Sequence, residues 1–422
     1  MAEVVKYSDN LNMSNKKARK IRNLENTKNK KSKKIALLIV TVILCLCGVI
    51  SGIMATVSSV KKAKAEKTVR IAFYGLSEEY VKLLQEKIPV EEKITLKMDV
   101  LSEGNLDLGA LKEKYDMLFT WKGEVTDTLE ASSEEIPSKI LELMPSSLRN
   151  KKCVPILLDH CELAYNIAVV QATTENIPSS FPTFLNYLNQ AKNEVFSPFF
   201  CAGADDRVLS ALIGSLIEAN GGVSAYNDFI EALRTGTDFE ELLDKELGVS
   251  KITLRSVLEM LKSWPKEGLT HPAWFNGQQN DLLYFAHDNH VGVFFTFLKD
   301  HRNIPYETIS KYESFVMPPV SSTTEYGIIA PAISCMLLTS NSNCKRYLAE
   351  FFTEDAQAEL SNLTKLAPVH SRAQAYDRQA DDVRFWAASC PGGALPDLYL
   401  AVWQRNAAGC SEFAKKCREY IR

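Results

Sequence analysis

Between Ile35 and Val57 the chain reads IALLIVTVILCLCGVISGIMATV, 23 residues without a charge. About 20 apolar residues are enough to cross the hydrocarbon layer of a bilayer. A buried helix of a soluble protein usually keeps a polar stripe over that length, so the run reads as a transmembrane helix. Ten Lys or Arg lie between Lys16 and Lys34 against one acid, Glu25, and Lys61, Lys62, Lys64 and Lys67 follow the run. The positive-inside rule then predicts a cytoplasmic N-terminus and a large part outside the cell membrane. A cleaved signal peptide is the rival reading. It normally has a shorter basic lead and a shorter apolar run, and the A-x-A at Ala63 and Ala65 is crowded by lysines. Leu precedes both Cys45 and Cys47, which argues against lipidation. The expected order is a basic cytoplasmic segment (1–34), an uncleaved single-pass signal anchor (35–57) and a linker (58–68).

The net charge of −3 conceals an asymmetry. Residues 1–67 carry 15 basic and 4 acidic side chains, a net of +11; the remaining 34 basic and 48 acidic side chains give −14. A folded part that acidic is a poor match for phosphate backbones, so nucleic acid is excluded as a partner. Of ten cysteines, eight lie beyond the anchor, an even number that permits disulfides without choosing among them. Buried Cys acting as a small hydrophobe is the plainer alternative.

Past the linker the pattern alternates. VRIAFYG (69–75) reads as a buried strand, EEYVKLLQEKI (78–88) as a helix and KITLKMDVLS (93–102) as a strand. A short helix over 107–115 leads to DMLFTW (116–121), a third strand. Strand, helix, strand, helix, strand predicts a right-handed parallel sheet. Ligands of such sheets sit beyond the carboxyl ends of the strands, here Tyr74, Gly75, Trp121 and Lys122. The stretch 153–170 reads as extended, 177–192 as a capped helix and 208–222 as a helix stopped by Gly221–Gly222. Further helical patterns run through 225–263. Strands are predicted over 290–298, 313–320 and 326–338, and helices over 343–361 and 372–422.

Three pieces carry a family resemblance: VPILLDHCELAYN (154–166), FPTFLNYL (181–188) and LIEANGG (216–222). Together with VGVFFTF, SFVMPPV, EYGIIAPAISCMLL and YLAEFFTEDAQAELSNLTKLAPVHSRA in that order, they resemble the extracellular solute-binding proteins of ABC importers. The match is closest to the maltose-binding-like cluster. The resemblance covers about 69–420 and rests on order and spacing. It implies an α/β fold of two lobes, the type II periplasmic-binding-protein fold, with ligand in the cleft. Lobe one is expected from 69–153 with 326–368, and lobe two from 154–325 with 369–422. The partners it implies are a small-molecule solute and ABC permease subunits. The long basic lead and membrane helix depart from typical members.

Sugar sites stack rings on aromatic faces and surround them with carboxylates and amides, because hydroxyls need paired donors and acceptors. Matched position by position, the candidate ligand contacts are Tyr74, Trp121, Asp159, Glu162, Asp205, Asp206, Arg207, Trp274, Phe275, Phe295, Phe297, Tyr399 and Trp403. Each has a plainer alternative: core packing for the aromatics, a solvated hinge charge for Asp159 and Glu162, helix capping for Asp205 and Asp206. Trp274 and Phe275 stand in a Pro/Gly-rich loop, where large aromatics need a cover. His287 and His290 lack a third ligand and do not make a metal site. No H-E-x-x-H, G-x-S-x-G, P-loop or G-x-G-x-x-G occurs, so nothing supports an enzyme or a cofactor. The expected function is solute binding, most simply of a carbohydrate, by hinge closure. A tethered sensor or scaffold on the same fold is a rival, as is a polyamine receptor, because carboxylates and aromatics bind amines.

Overall fold

The strands follow in chain order as β1 (Thr68–Tyr74), β2 (Thr95–Leu101), β3 (Met117–Trp121), β4 (Cys153–Leu158), β5 (Cys161–Asn166), β6 (Ser197–Cys201), β7 (Val291–Phe297), β8 (Tyr312–Phe315), β9 (Ile328–Ile329), β10 (Ala332–Leu337), β11 (Ala367–Pro368) and β12 (Ala394–Leu395). The computed structural model describes residues 67–90, 94–102, 106–321, 325–375 and 377–422. The expected cytoplasmic segment and anchor lie outside the described residues. Thr68–Arg422 form one unit.

Six strands make the sheet of the first lobe, in the order β11-β4-β10-β3-β1-β2. β2, β1 and β3 are parallel, as the alternating pattern requires. β10 arrives late in the chain and inserts antiparallel between β3 and β4. β2 is the edge strand, and its alternating half-exposed positions reflect that. The second lobe has a four-stranded sheet, β6-β7-β5-β8, with β6 and β7 parallel and β5 antiparallel to β7 and β8. β9 and β12 form a separate short pair.

The chain first crosses between sheets at Asp159–His160, where β4 ends and β5 begins. The boundary expected after residue 153 therefore falls five residues later. The whole of β4 and β5 is buried, and the crossing falls where Asp159 and His160 interrupt the apolar run. Ile167–Val170, expected as the end of an extended stretch, open the helix Ile167–Thr173; Asn166 caps it by accepting from the amides of Ala168 and Val169. The helix entering the double glycine stops there, as expected: a kink at Gly222 separates it from a second helix that runs on to Arg234. Asp206–Arg234 is helical throughout except at Gly222, whose φ of 78° is a left-handed value that suits glycine. That helix is long and apolar enough to pass for a membrane span, yet its apolar residues are buried in the second lobe.

The tail divides between lobes. The helix Arg378–Ser389, expected with lobe two, buries Ala380, Val383 and Ala387 in the first lobe's core. The helix Ala407–Ile421 buries Cys410, Phe413, Ala414 and Cys417 in the second. The eight cysteines of the described residues are all buried, unpaired thiols.

Candidate functional site

The carboxyl end of β3 faces the second lobe. Trp121 closes that strand at 5% exposure, with the ring of Tyr80 against it edge-on at 6.1 Å. Tyr80 comes from the helix Glu78–Glu86, started by the Ser77 hydroxyl accepting from the Tyr80 amide. Opposite stands the amino end of the helix Asp206–Arg234, capped by Asp205, which accepts from the amides of Arg207 and Val208.

Arg207 projects from this first turn into a cage of rings. Its guanidinium carbon lies 4.8 Å from the ring centre of Phe297, 5.6 Å from Tyr399 and 5.8 Å from Trp121. Phe297 ends β7, and Tyr399 sits in the short helix Leu398–Val402. Cations are held over aromatic faces by the ring quadrupole. Asp397 completes the cage: its Oδ2 accepts from Arg207 Nε at 3.1 Å and Nη2 at 2.6 Å. Burial would lower the Arg207 value, but Asp397 outweighs it and the guanidinium stays charged.

Carboxylates gather nearby. Asp159, on the crossing, is fully buried; its Oδ1 accepts from the amides of His160 (2.9 Å) and Lys299 (3.2 Å). Burial pushes its pKa up to about 6, against the pull of Lys299 and Arg207. Burial also raises half-buried Asp300. The site thus mixes flat rings, cations and carboxylates, the donor and acceptor set that a polar solute needs.

The same place holds a close approach between the lobes. The helix Leu398–Val402 divides its side chains: Leu398, Ala401 and Val402 pack in the second core, Leu400 in the first. A Cβ added to Gly123, just past β3, would lie 2.1 Å from the Leu400 carbonyl oxygen. Only glycine admits that approach. Gln404 follows, 5% exposed. Its Nε2 donates to Thr120 Oγ1 (3.0 Å) and to the Trp121 carbonyl (2.9 Å), and its Oε1 accepts from the Val125 amide (3.1 Å). Tyr74, fully buried, donates from its hydroxyl to the Gln404 carbonyl at 3.4 Å. Arg405 Nε donates to Glu124 at 2.8 Å, and Arg234 reaches Asp127 at 2.6 Å.

Glu162 lies deeper, on β5. His301 and Ser314 both meet its Oε1, and His160 Nδ1 stands 3.6 Å from Oε2. Burial works to raise its pKa, but the two imidazoles outweigh it and hold the carboxylate well below its ordinary range.

Of the candidate residues, then, the structure brings Trp121, Arg207, Phe297 and Tyr399 together, with Asp159 close by and Asp205 capping the helix that presents Arg207. The others lie elsewhere. Tyr74 is under the short helix, and Glu162 is in the His160–His301 cluster. Asp206 pairs with Arg418 at 2.8 Å. Trp274 and Phe275 are buried, packed closely against Gly203. Phe295 is core, and Trp403 packs on Phe413 with ring centres 5.2 Å apart. Tyr80, Asp300, Asp397 and Gln404 were not singled out by sequence. Asp397 does carry a signal, as an acid capping an apolar run. Gln404 carries none.

No protein-family model matches the sequence, and no curated protein matches it. Solved structures do. The bacterial solute receptor AcbH, described as exclusive for β-D-galactopyranose, superposes with a TM-score of 0.66 at 11% identity, covering 84% of this chain and 92% of its own. The binding protein MsmE of Bacillus subtilis, in an open conformation, gives 0.64 at 13% identity over 84% and 97%. Apo RafE of Streptococcus pneumoniae gives 0.61 at 14% over 84% and 93%. The neighbours are binding proteins. Thr68–Arg422 therefore has the two-lobe α/β fold of the bacterial solute receptors.

Proposed function

We propose that the chain is a membrane-anchored, extracytoplasmic solute-binding protein that delivers a small polar solute, a carbohydrate, to the permease subunits of an ABC importer. The observation that carries this reading is the interlobe cage. Trp121 comes from one lobe, Arg207 and Phe297 come from the other, and Tyr399 packs against both cores. Rings of this kind stack on pyranose faces, and the carboxylates and amides beside them pair with hydroxyls. AcbH, with the same fold, takes such a sugar. A solute that touches both lobes favours their closed arrangement through its differential affinity alone. The site has a binding role and no catalytic one.

The anchor rests on the uncharged run 35–57 and its basic flanks. Intact-mass measurement of the membrane-extracted protein should show the N-terminus still attached; a mature form beginning near residue 60 overturns the anchor. The solute is tested by melting the full chain with sugars, polyamines and amino acids, because a ligand that binds only the folded state raises the transition. A carbohydrate is expected to do so. Arg207 already places a guanidinium among the rings, which favours an amine or guanidinium solute as the second reading. A rise with polyamines alone would select it. No rise with any class would favour a tethered sensor or scaffold.

A further inference from the structure

The short helix Leu398–Val402 and the two polar residues that soon follow it, Gln404 and Arg405, come just after the chain's last crossing, from the helix Arg378–Ser389 of the first lobe, and touch both lobes. Leu400 enters the first lobe's core while its neighbours stay in the second. Gln404 uses both ends of its amide on β3 and the turn after it, at Thr120, Trp121 and Val125. A glycine at 123 makes room for the helix backbone. The helix also depends on the cage. Asp397 caps it, Oδ1 accepting from the Leu400 amide at 3.0 Å, while its Oδ2 holds Arg207. One carboxylate therefore ties the solute cage to the segment that fastens the lobes. Arg207 in turn lies against Trp121 of the first lobe.

We propose that Leu398–Arg405 is a built-in latch that holds the lobes together without solute, and that Arg207, acting through Asp397, governs whether it is engaged. Arg207 then stands in the cage where a solute would sit, and a solute that draws it from Asp397 loosens the helix cap and frees Gln404 from β3. Arg207 and Asp397 are positioning residues for this movement. The purpose given to the latch rests on the solute-receptor reading; the latch itself does not.

The test is a distance measurement on the full chain with spin labels at Glu113→Cys in the first lobe and Glu240→Cys in the second. Cys45 and Cys47 are replaced by Ala; the eight native cysteines beyond them are buried. Without solute, the parent is expected to give one narrow distribution. Arg207→Met and Gln404→Leu should each add a longer population, and Arg207→Lys a smaller one. Arg255→Ala, which breaks a pair with Asp244 and a contact with Tyr420, both within the second lobe, should change nothing. Variants that melt cooperatively yet keep the parental distribution overturn the proposal. So does a parent that already spans long distances. Should a variant not fold, hydrogen exchange of the parent decides. The Val125 amide, bonded to Gln404, should exchange at least tenfold more slowly than an open amide; exchange at the open rate refutes the latch. A failed solute screen would leave these outcomes unaffected, and a failed latch would leave solute binding intact.

Discussion

Two of the places where the lobes meet differ in chemistry. At the first crossing the contacts are buried and titratable: Asp159 and His160 on the crossing itself and, beside them within the second lobe, Glu162 with His301 and Ser314. Glu218 is another buried acid, accepting from the Gly327 amide at 2.6 Å; burial pushes it up to about 7. At the Leu398–Arg405 segment the buried contact is a neutral amide, Gln404, and the charged pairs at Glu124 and Asp127 are partly exposed. Buried charge is costly to leave unpaired, whereas neutral hydrogen bonds exchange with water at little net cost. The first crossing should therefore carry more of the stability and its pH dependence, and the contacts of the Leu398–Arg405 segment with β3 should be the ones that open.

The largest way to break this contrast is Glu162→Ala. It strips two buried imidazoles of their carboxylate and should cost about 3–5 kcal/mol, read from urea unfolding. A loss under about 1 kcal/mol, the range of an exposed ion pair, would erase the distinction between the junctions.

Next comes pH. Asp159 and Glu218 have folded values raised above their ordinary 3.8 and 4.5, to about 6 and about 7. Their contribution is fully present below the ordinary values and is lost as pH rises through 6 and 7. Glu162, held low, contributes above its ordinary value of 4.5 and loses that contribution only as pH falls well below it. Moving one pKa by 1 between the unfolded and folded chain changes stability by about 1.4 kcal/mol, so stability should peak near pH 4, about the ordinary values of these carboxyls, and decline by several kcal/mol toward pH 8. Urea midpoints that rise from pH 5.5 to 8 would contradict the sign.

How much of this was legible in the sequence differs by region. The run β1 to β3 could be read residue by residue, because strand and helix periodicities are local and each element there belongs to one lobe. The tail could not. Its helices were visible, but Leu398 and Leu400, two residues apart, serve different cores, and no local pattern states which face meets which lobe. The crossing itself was legible in the apolar run that Asp159, His160 and Glu162 interrupt, but not its boundary, because β4 and β5 are equally buried on both sides. Trp274 and Phe275 sat in a loop that looked open, and only the fold supplies their cover at Gly203. Of the cage, the aromatic and basic members stood out by type and position. Gln404 is a common polar residue, and its role exists only through three partners about 280 positions away.

Smaller effects sharpen the other junction. Gln404→Ala leaves the Val125 amide and the Trp121 carbonyl buried without that partner, and should cost about 1–3 kcal/mol, less than Glu162→Ala. Arg405→Ala removes a partly exposed pair and should cost at most about 1 kcal/mol, shrinking further in high salt. A reversal of that order would mean that the surface pair, not the buried amide, fastens the lobes.

The central claim is that solute sits between the lobes against Trp121. Titration calorimetry of the full chain and its Trp121→Ala variant, with the solute that most raises the melting transition, tests it directly. Loss of one stacking face is worth on the order of 1 kcal/mol or more, so the variant should bind about tenfold more weakly, with its solute-free melting temperature within a few degrees of the parent. Equal affinity in the two proteins would place the solute elsewhere and contradict the account.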